Sequence, residues 1–174
     1  MNTVVDATAS HTYGSRYVFS DIDQFEVSLS TRINWILSPK MSLQVYMQPL
    51  ISVGDYWDFK EFAKPGTLSF WRYGIETGTI GVGEDHRYTV DPDGNGAAPP
   101  FSFYDPDFNF KSLRVNAIFR WEWRLGSTLY IVWTQNRQDY SDPGQFSPAH
   151  DIAKMFTAPS NNILMARIAY WLSR

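Results

Sequence analysis

From Gln24 to Leu37 apolar and polar residues alternate. Phe25, Val27, Leu29, Ile33, Trp35 and Leu37, with Thr31 among them, share one side, and Gln24, Glu26, Ser28, Ser30, Arg32 and Asn34 share the other. Side chains alternate across a β-strand, so the run predicts a strand with one apolar face and one polar, partly charged face. At roughly 3.3 Å per residue it extends for more than about 40 Å, well beyond an ordinary strand of about five or six residues. The next run, 41–53, sets Met41, Leu43, Val45, Met47, Ile51 and Val53 against Ser42, Gln44, Tyr46, Gln48 and Ser52. The intervening Ser38-Pro39-Lys40 predicts a tight turn and hence a hairpin. Pro49, inside the second run, predicts a local bulge or an edge-like position.

The pattern recurs. In 111–124, Leu113, Val115, Ala117, Phe119, Trp121 and Trp123 oppose Arg114, Asn116, Arg120, Glu122 and Arg124, with Ile118 on the polar side. A turn around Leu125-Gly126 leads into 127–138, where Leu129, Ile131 and Trp133 oppose Thr128, Tyr130, Thr134 and Asn136. A last run, 161–174, sets Leu164, Ala166, Ile168, Tyr170 and Leu172 against Arg167. Two long connections remain: 54–107, rich in Gly, Pro, Asp and aromatics, and 139–160, with a short helix predicted over 151–156.

Long alternating strands with short turns at one end and long connections at the other predict an all-β fold of a particular kind. It is an antiparallel transmembrane β-barrel, whose strands need roughly nine to eleven tilted residues to cross. The turns at 38–40 and 125–127 then lie in the periplasm, as does the C-terminus, and the long connections lie outside with the short loop helix. Trp35, Trp121 and Trp123 fall at the periplasmic interface, where Trp is favoured. Five such runs are fewer than the eight or so strands of the smallest outer-membrane barrels. Either 2–9, 67–73 and 78–90 supply three weaker spans and residues 1–174 form one complete barrel domain, or the chain is the C-terminal part of a larger barrel. An open sheet edge in lipid leaves backbone groups unpaired, so a fragment requires the missing strands from elsewhere.

Composition narrows this picture. Aromatic residues make up 17% of the chain, with seven Trp and ten Tyr, enough to furnish the girdles of a membrane barrel. The alternative they leave open is a soluble β-barrel or sandwich with an aromatic core that binds a ligand such as carbohydrate. A net charge of −3 gives no general attraction to nucleic acid. The absence of cysteine excludes disulfides and thiolate metal sites. No apolar run reaches the roughly eighteen residues of a transmembrane helix. A mean hydropathy of −0.31 is compatible with a barrel, because half of each strand faces a polar lumen. The first residues, MNTVVDATASHTYGSRY, have neither a basic nor an apolar leader region. An exported protein of this kind therefore implies a removed signal or a longer precursor.

The segments HTYGSRYVFSDIDQ, MSLQVYMQPLISVGDYWDFKEFAKP, YTVDPDGNG and FNFKSLRVNAIFRWEWRLGSTLYIVWTQNR resemble one family from about His11 to Leu172. It is an uncharacterised bacterial outer-membrane β-barrel domain that usually follows a family-9-type carbohydrate-binding module in large surface proteins. The resemblance implies location and fold, and it favours the C-terminal-fragment reading; it implies no reaction.

Candidate chemistry is sparse. Asp91, Asp93 and Asn95 in DPDGNG fit the opening of a calcium loop, with Gly96 at the sharp turn. The twelfth position is Ser102 in place of the bidentate Glu, and Pro99-Pro100 prevent an exiting helix, so an ordinary exposed turn accounts for the string as well. Glu26, Arg32, Arg114, Arg120, Glu122, Arg124 and Arg167 are expected to line the lumen, either as a conduit biased toward anions or as an ion-paired filling. Trp57, Trp71 and Tyr73, near Tyr56 and Phe59, offer rings to a loop ligand, or pack the loop itself. His11, His86 and His150 have no metal-ligand or triad spacing. Gly78–Gly83 has the wrong order for a phosphate loop, and no G-x-S-x-G elbow occurs. The expected function is therefore non-enzymatic: an outer-membrane barrel component, without cofactor unless calcium binds, that anchors a surface module or passes small solutes. Its expected partners are outer-membrane lipid and either the missing barrel strands or another surface protein.

Overall fold

The computed structural model describes residues 2–141 and 144–172. In chain order the strands are β1 (Asn2–Val5), β2 (Ser15–Ser28), β3 (Thr31–Ser38), β4 (Met41–Phe62), β5 (Phe70–Arg72), β6 (Thr79–Val82), β7 (Arg87–Asp91), β8 (Phe101–Tyr104), β9 (Phe108–Arg124) and β10 (Ser127–Ser141). Helix α1 (Pro148–Thr157) and β11 (Ser160–Ala169) follow. The fold is all-β and antiparallel, with one short α-helix. The chain divides into two compact units, one of Met1–Asp23 and Gly54–Asp107, the other of Gln24–Val53 and Phe108–Arg174.

In the first unit β1 pairs the start of β2, from Asn2 opposite Val18 to Val5 opposite Ser15. The end of β4 pairs β5 through Lys60–Arg72, Glu61–Trp71 and Phe62–Phe70. Strands β6, β7 and β8 form a separate three-stranded sheet. Gly78 precedes it at φ +52°, where a Cβ would run into the carbonyl oxygen of Asp91, so only glycine fits. The core gathers Val18, Phe59, Tyr73, Val90 and Phe103, flanked by Tyr56, Ile80, Tyr88 and Phe101. Its rings meet at offset angles, Phe59 lying 4.6 Å from Tyr88 and 5.2 Å from Phe103. Each such side chain, fully buried, contributes about 1.5–3 kcal/mol.

The weaker spans expected at 2–9, 67–73 and 78–90 are thereby corrected. They form strands of three to five residues, too short to cross a membrane, and β6–β8 make their own sheet.

In the second unit the ladder runs β3–β4–β9–β10–β11, with β2 on the same side of β4 as β3. Both hairpins turn where expected: Ser38 pairs Met41 across Pro39-Lys40, and Arg124 pairs Ser127 across Leu125-Gly126. Gly126 sits at φ +75°, and a Cβ there would approach Trp171 to 2.9 Å. The run 24–37 is not one strand, for it breaks at Leu29-Ser30. Leu29 donates its amide to the Pro49 carbonyl at 3.2 Å, but Pro49 has no N–H to return, so the ladder loses a bond there. Strand β4 continues past Val53 to Phe62, and the helix spans 148–157 where 151–156 was predicted. The last strand spans 160–169, and residues 173 and 174 of the predicted run lie outside the described residues.

Register confirms the predicted faces. Phe119, Ile131 and Ala166 lie in one cross-strand row, Trp121, Leu129 and Ile168 in the next, and Ala117, Trp133 and Leu164 in a third. Trp35 pairs Leu43 and Ile33 pairs Val45 in the same manner. These apolar rows are not buried. Trp35 is 60% exposed, Leu164 72% and Ile168 68%.

Candidate functional site

The opposite face of the second unit's sheet carries most of the charged residues expected to act together. Arg114, Arg120 and Glu122 alternate along β9, and Arg120 pairs Tyr130, which in turn pairs Arg167. Arg124 is corrected: a bulge sets it opposite Ser127, on the side of Leu129 and Ile131, where its Nη1 donates to the Tyr170 hydroxyl at 3.3 Å. On β3, Arg32 pairs Tyr46, and its guanidinium lies 5.8 Å from the centre of that ring. Glu26 is exposed near the end of β2.

Polar side chains knit parts of this face. Arg120 Nη2 donates to Glu122 Oε2 at 3.0 Å, and Asn116 Nδ2 donates to Thr134 Oγ1 at 2.9 Å. The ion pair is solvent-screened, so it orients Arg120 more than it stabilises the sheet. Arg32, Asn34, Gln44, Tyr46 and Asn116, with Val45 and Ile118, line a recess of about 320 Å³. It presents amide, phenol and guanidinium groups to a polar or anionic solute and has no nucleophile–base pair. One apolar row, Ile118–Val132–Met165, crosses this face.

The other expected sites fare differently. Asp91 Oδ1 accepts the Gly94 amide and Asp93 Oδ2 the Ala98 amide, both at 2.9 Å, which is turn geometry. Asn95 is exposed. Among the described residues no three His, Asp or Glu side chains gather as a metal-binding group. Trp57 and Trp71 are exposed, and Trp71 packs edge-on to His11 at 5.1 Å. Tyr73 is corrected: at 4% exposure it belongs to the core of the first unit and offers no ring to a ligand.

Two buried charge clusters were not anticipated. In the first unit Arg16 binds Asp6 and Glu61, both at 2.6 Å. Burial pushes the Asp6 carboxyl up, but hydrogen bonds from Thr8 and Arg16 outweigh it and hold the group below its ordinary range. Burial, followed by the charge of Glu61, drives the Tyr73 hydroxyl far above its usual value.

In the second unit Lys111 Nζ donates to Ser141 Oγ at 2.8 Å and sits 3.5 Å from both Asp139 and Asp151. Asp151 also accepts from Asn109 Nδ2 at 3.1 Å and from the Ser147 amide at 2.8 Å. That last bond satisfies the amide of the residue preceding the helix, and Pro148 sets the first helical φ, so the sequence starts α1 there. Burial raises the Asp151 carboxyl, yet the Ser147 amide, Asn109 and Lys111 together leave it lowered. Lys111 and Asp139 are cross-strand partners, which a two-residue alternation signal was able to suggest; Asp151 gave no such signal.

No curated protein and no solved structure matches the chain. One family, described as a domain of unknown function (DUF5916), has a model that matches residues 5–173, and the chain belongs to that family.

Proposed function

We propose that the strands of the second unit are transmembrane strands of a bacterial outer-membrane β-barrel. In this reading the protein is a non-enzymatic surface component that anchors a binding module or passes small solutes. One observation carries it: the apolar rows across β9, β10 and β11 lie uncovered, exposed at Trp121, Leu164 and Ile168 and half-buried at Phe119, Leu129, Ile131 and Trp133, while the reverse face carries arginines and amides. A sheet in water covers its apolar face; a barrel wall turns that face to lipid and the polar face to the lumen. Trp35, Trp121 and Trp171, all exposed near the two short turns, suit the interfacial girdle on the periplasmic side. Among the described residues β3 and β11 each pair on one side, so closure requires further strands from a longer protein or another chain. The family resemblance adds an upstream carbohydrate-binding module as the cargo that such a barrel holds at the surface.

Extraction tests this directly. An integral barrel stays in the membrane pellet through alkaline carbonate and migrates differently on a gel before and after boiling. Release into the aqueous fraction, with a single migration, would sink the proposal and leave a soluble ligand-binding sheet protein as the better account.

A further inference from the structure

Helix α1 is oriented against the rule for a protein in water. The residues it turns toward β9 and β10 are Asp151, 0% exposed, and Met155, one turn on. Ile152 and Phe156, also one turn apart, are 46% and 53% exposed, and Phe146 just ahead of the helix is exposed as well. A surface helix normally buries its apolar stripe and shows its polar one. Here a carboxylate docks the helix, through Lys111, Asn109 and the Ser147 amide. Arg137 Nη1 holds the other end by donating to the carbonyls of Phe156 and Ala158 at 2.7 and 2.8 Å.

The side of the sheet on which α1 sits follows from alternation. Lys111 and Arg137 share a face with Leu113, Val115, Ala117, Ile131 and Trp133, the apolar face. Along β10 that face changes character after Trp133, to Gln135, Arg137 and Asp139. The change is marked by the Trp133 indole, whose Nε1 donates to Asn162 Oδ1 at 3.2 Å, a ring with its body among apolar neighbours and its N–H on a polar group. Interfacial Trp residues behave this way. The helix is anchored four to six residues beyond Trp133, about 13–20 Å further along the strand. Its charge matches that level too. Residues 144–158 contain one acid, Asp151, which is buried and paired, whereas Lys154 and His150 are exposed.

We infer that α1 is an interfacial anchor, lying at the lipid–water boundary on the side of the long connections. Ile152 and Phe156 enter the acyl region, Phe146 stays packed on Phe25 with a ring centroid 4.5 Å away, and Lys154 sits among headgroup phosphates. This rests on the proposal that β9–β11 cross the membrane. The occupant is lipid because the exposed apolar residues of α1 share the apolar face of the sheet and the exposed charge around them is cationic, which suits anionic headgroups.

The absence of cysteine makes the test clean, since one introduced thiol carries one label. Ile152→Cys, Leu164→Cys and Leu68→Cys, each bearing an environment-sensitive fluorophore, are compared in the full chain. The vesicles are phosphatidylethanolamine and phosphatidylglycerol with nitroxide lipids, the nitroxide placed either near the headgroup or deep in the chain. The label at 152 is expected to be quenched several-fold more than that at 68, more by shallow than by deep nitroxide, and to be shielded from aqueous iodide. A label at 152 open to iodide and unquenched, beside a quenched label at 164, overturns the anchor while the barrel reading stands. Shielding from both iodide and nitroxide means that protein covers α1, which also overturns it. If 152 and 164 are both open to iodide and unquenched, the barrel reading falls with it.

Discussion

Lys111 and Asp151 reach one another from distant points of the sequence, and neither side chain retains exposed surface. Removing two charges from water costs several kcal/mol each, so the pair persists because its two members find further partners in Ser141, Asn109, Asp139 and the Ser147 amide. Breaking it from one side is expected to be expensive. Asp151→Asn leaves Lys111 with Asp139 as its one carboxylate and should destabilise the docking of α1 by about 3 kcal/mol, measured as faster amide exchange over 145–158. The pH dependence has a definite sign. The folded carboxyl of Asp151 lies below its ordinary value, so its contribution is complete above about pH 4 and is lost as pH falls through the folded value. Protection from amide exchange over 145–158, taken relative to the intrinsic rate at each pH, should therefore fall on acidification below about pH 4 in the natural protein, and much less in Asp151→Asn. Protection that stays constant to about pH 2 would mean that the carboxylate does not hold the helix.

The elements divide according to how local their causes are. The faces of β9, β10 and β11 were legible because a period of two is written into neighbouring residues, and one register satisfies all three strands. The break in the run 24–37 was legible only in part. Pro49 announced an irregularity in its own strand, but its effect falls on the partner, at Leu29-Ser30. Restoring the missing donor tests that cause: Pro49→Val should slow amide exchange at Thr31 and stabilise the β3–β4 ladder by about 0.5–1.5 kcal/mol, and no change would assign the break to another source. The continuation of β4 through Gly54 to Phe62 was hidden, since Asp55, Trp57 and Asp58 spoil the alternation and Asp58 adopts φ +55°. The same mixture concealed β6–β8, and it made Tyr73 look like an exposed loop ring when long-range packing buries it with Phe59 and Val90. The apolar rows also carry an energetic expectation. Phe119→Arg, in the row with Ile131 and Ala166, should cost about 2–4 kcal/mol in bilayers, while Thr134→Arg on the polar face should cost little, both read by urea unfolding in vesicles. Equal costs would mean that the two faces meet the same solvent.

For the whole molecule, the balance between anchoring and passage turns on the polar face. Arg32, Arg114, Arg120 and Arg167 outnumber Glu122 there, and the overall net charge of −3 hides that local excess because acidic residues concentrate in the connections. Arg120 is tied to Glu122, which orients it without cancelling its neighbours, and Arg167 lies across the Tyr130 row from it. A conduit walled by these side chains concentrates anions and repels cations, as rings of arginine do in anion pores. Purified with the strands that close its barrel and placed in a planar bilayer with a salt gradient, the protein is therefore expected to give anion-selective conductance. Arg120→Glu with Arg167→Glu reverses two charges in one cross-strand row of that wall, and it should move the reversal potential toward cation selectivity without changing carbonate resistance. Conductance whose selectivity ignores the double substitution would place these arginines away from the path. A silent bilayer beside carbonate-resistant protein would assign the arginines to an ion-paired filling, and the barrel would then serve to hold a module at the surface.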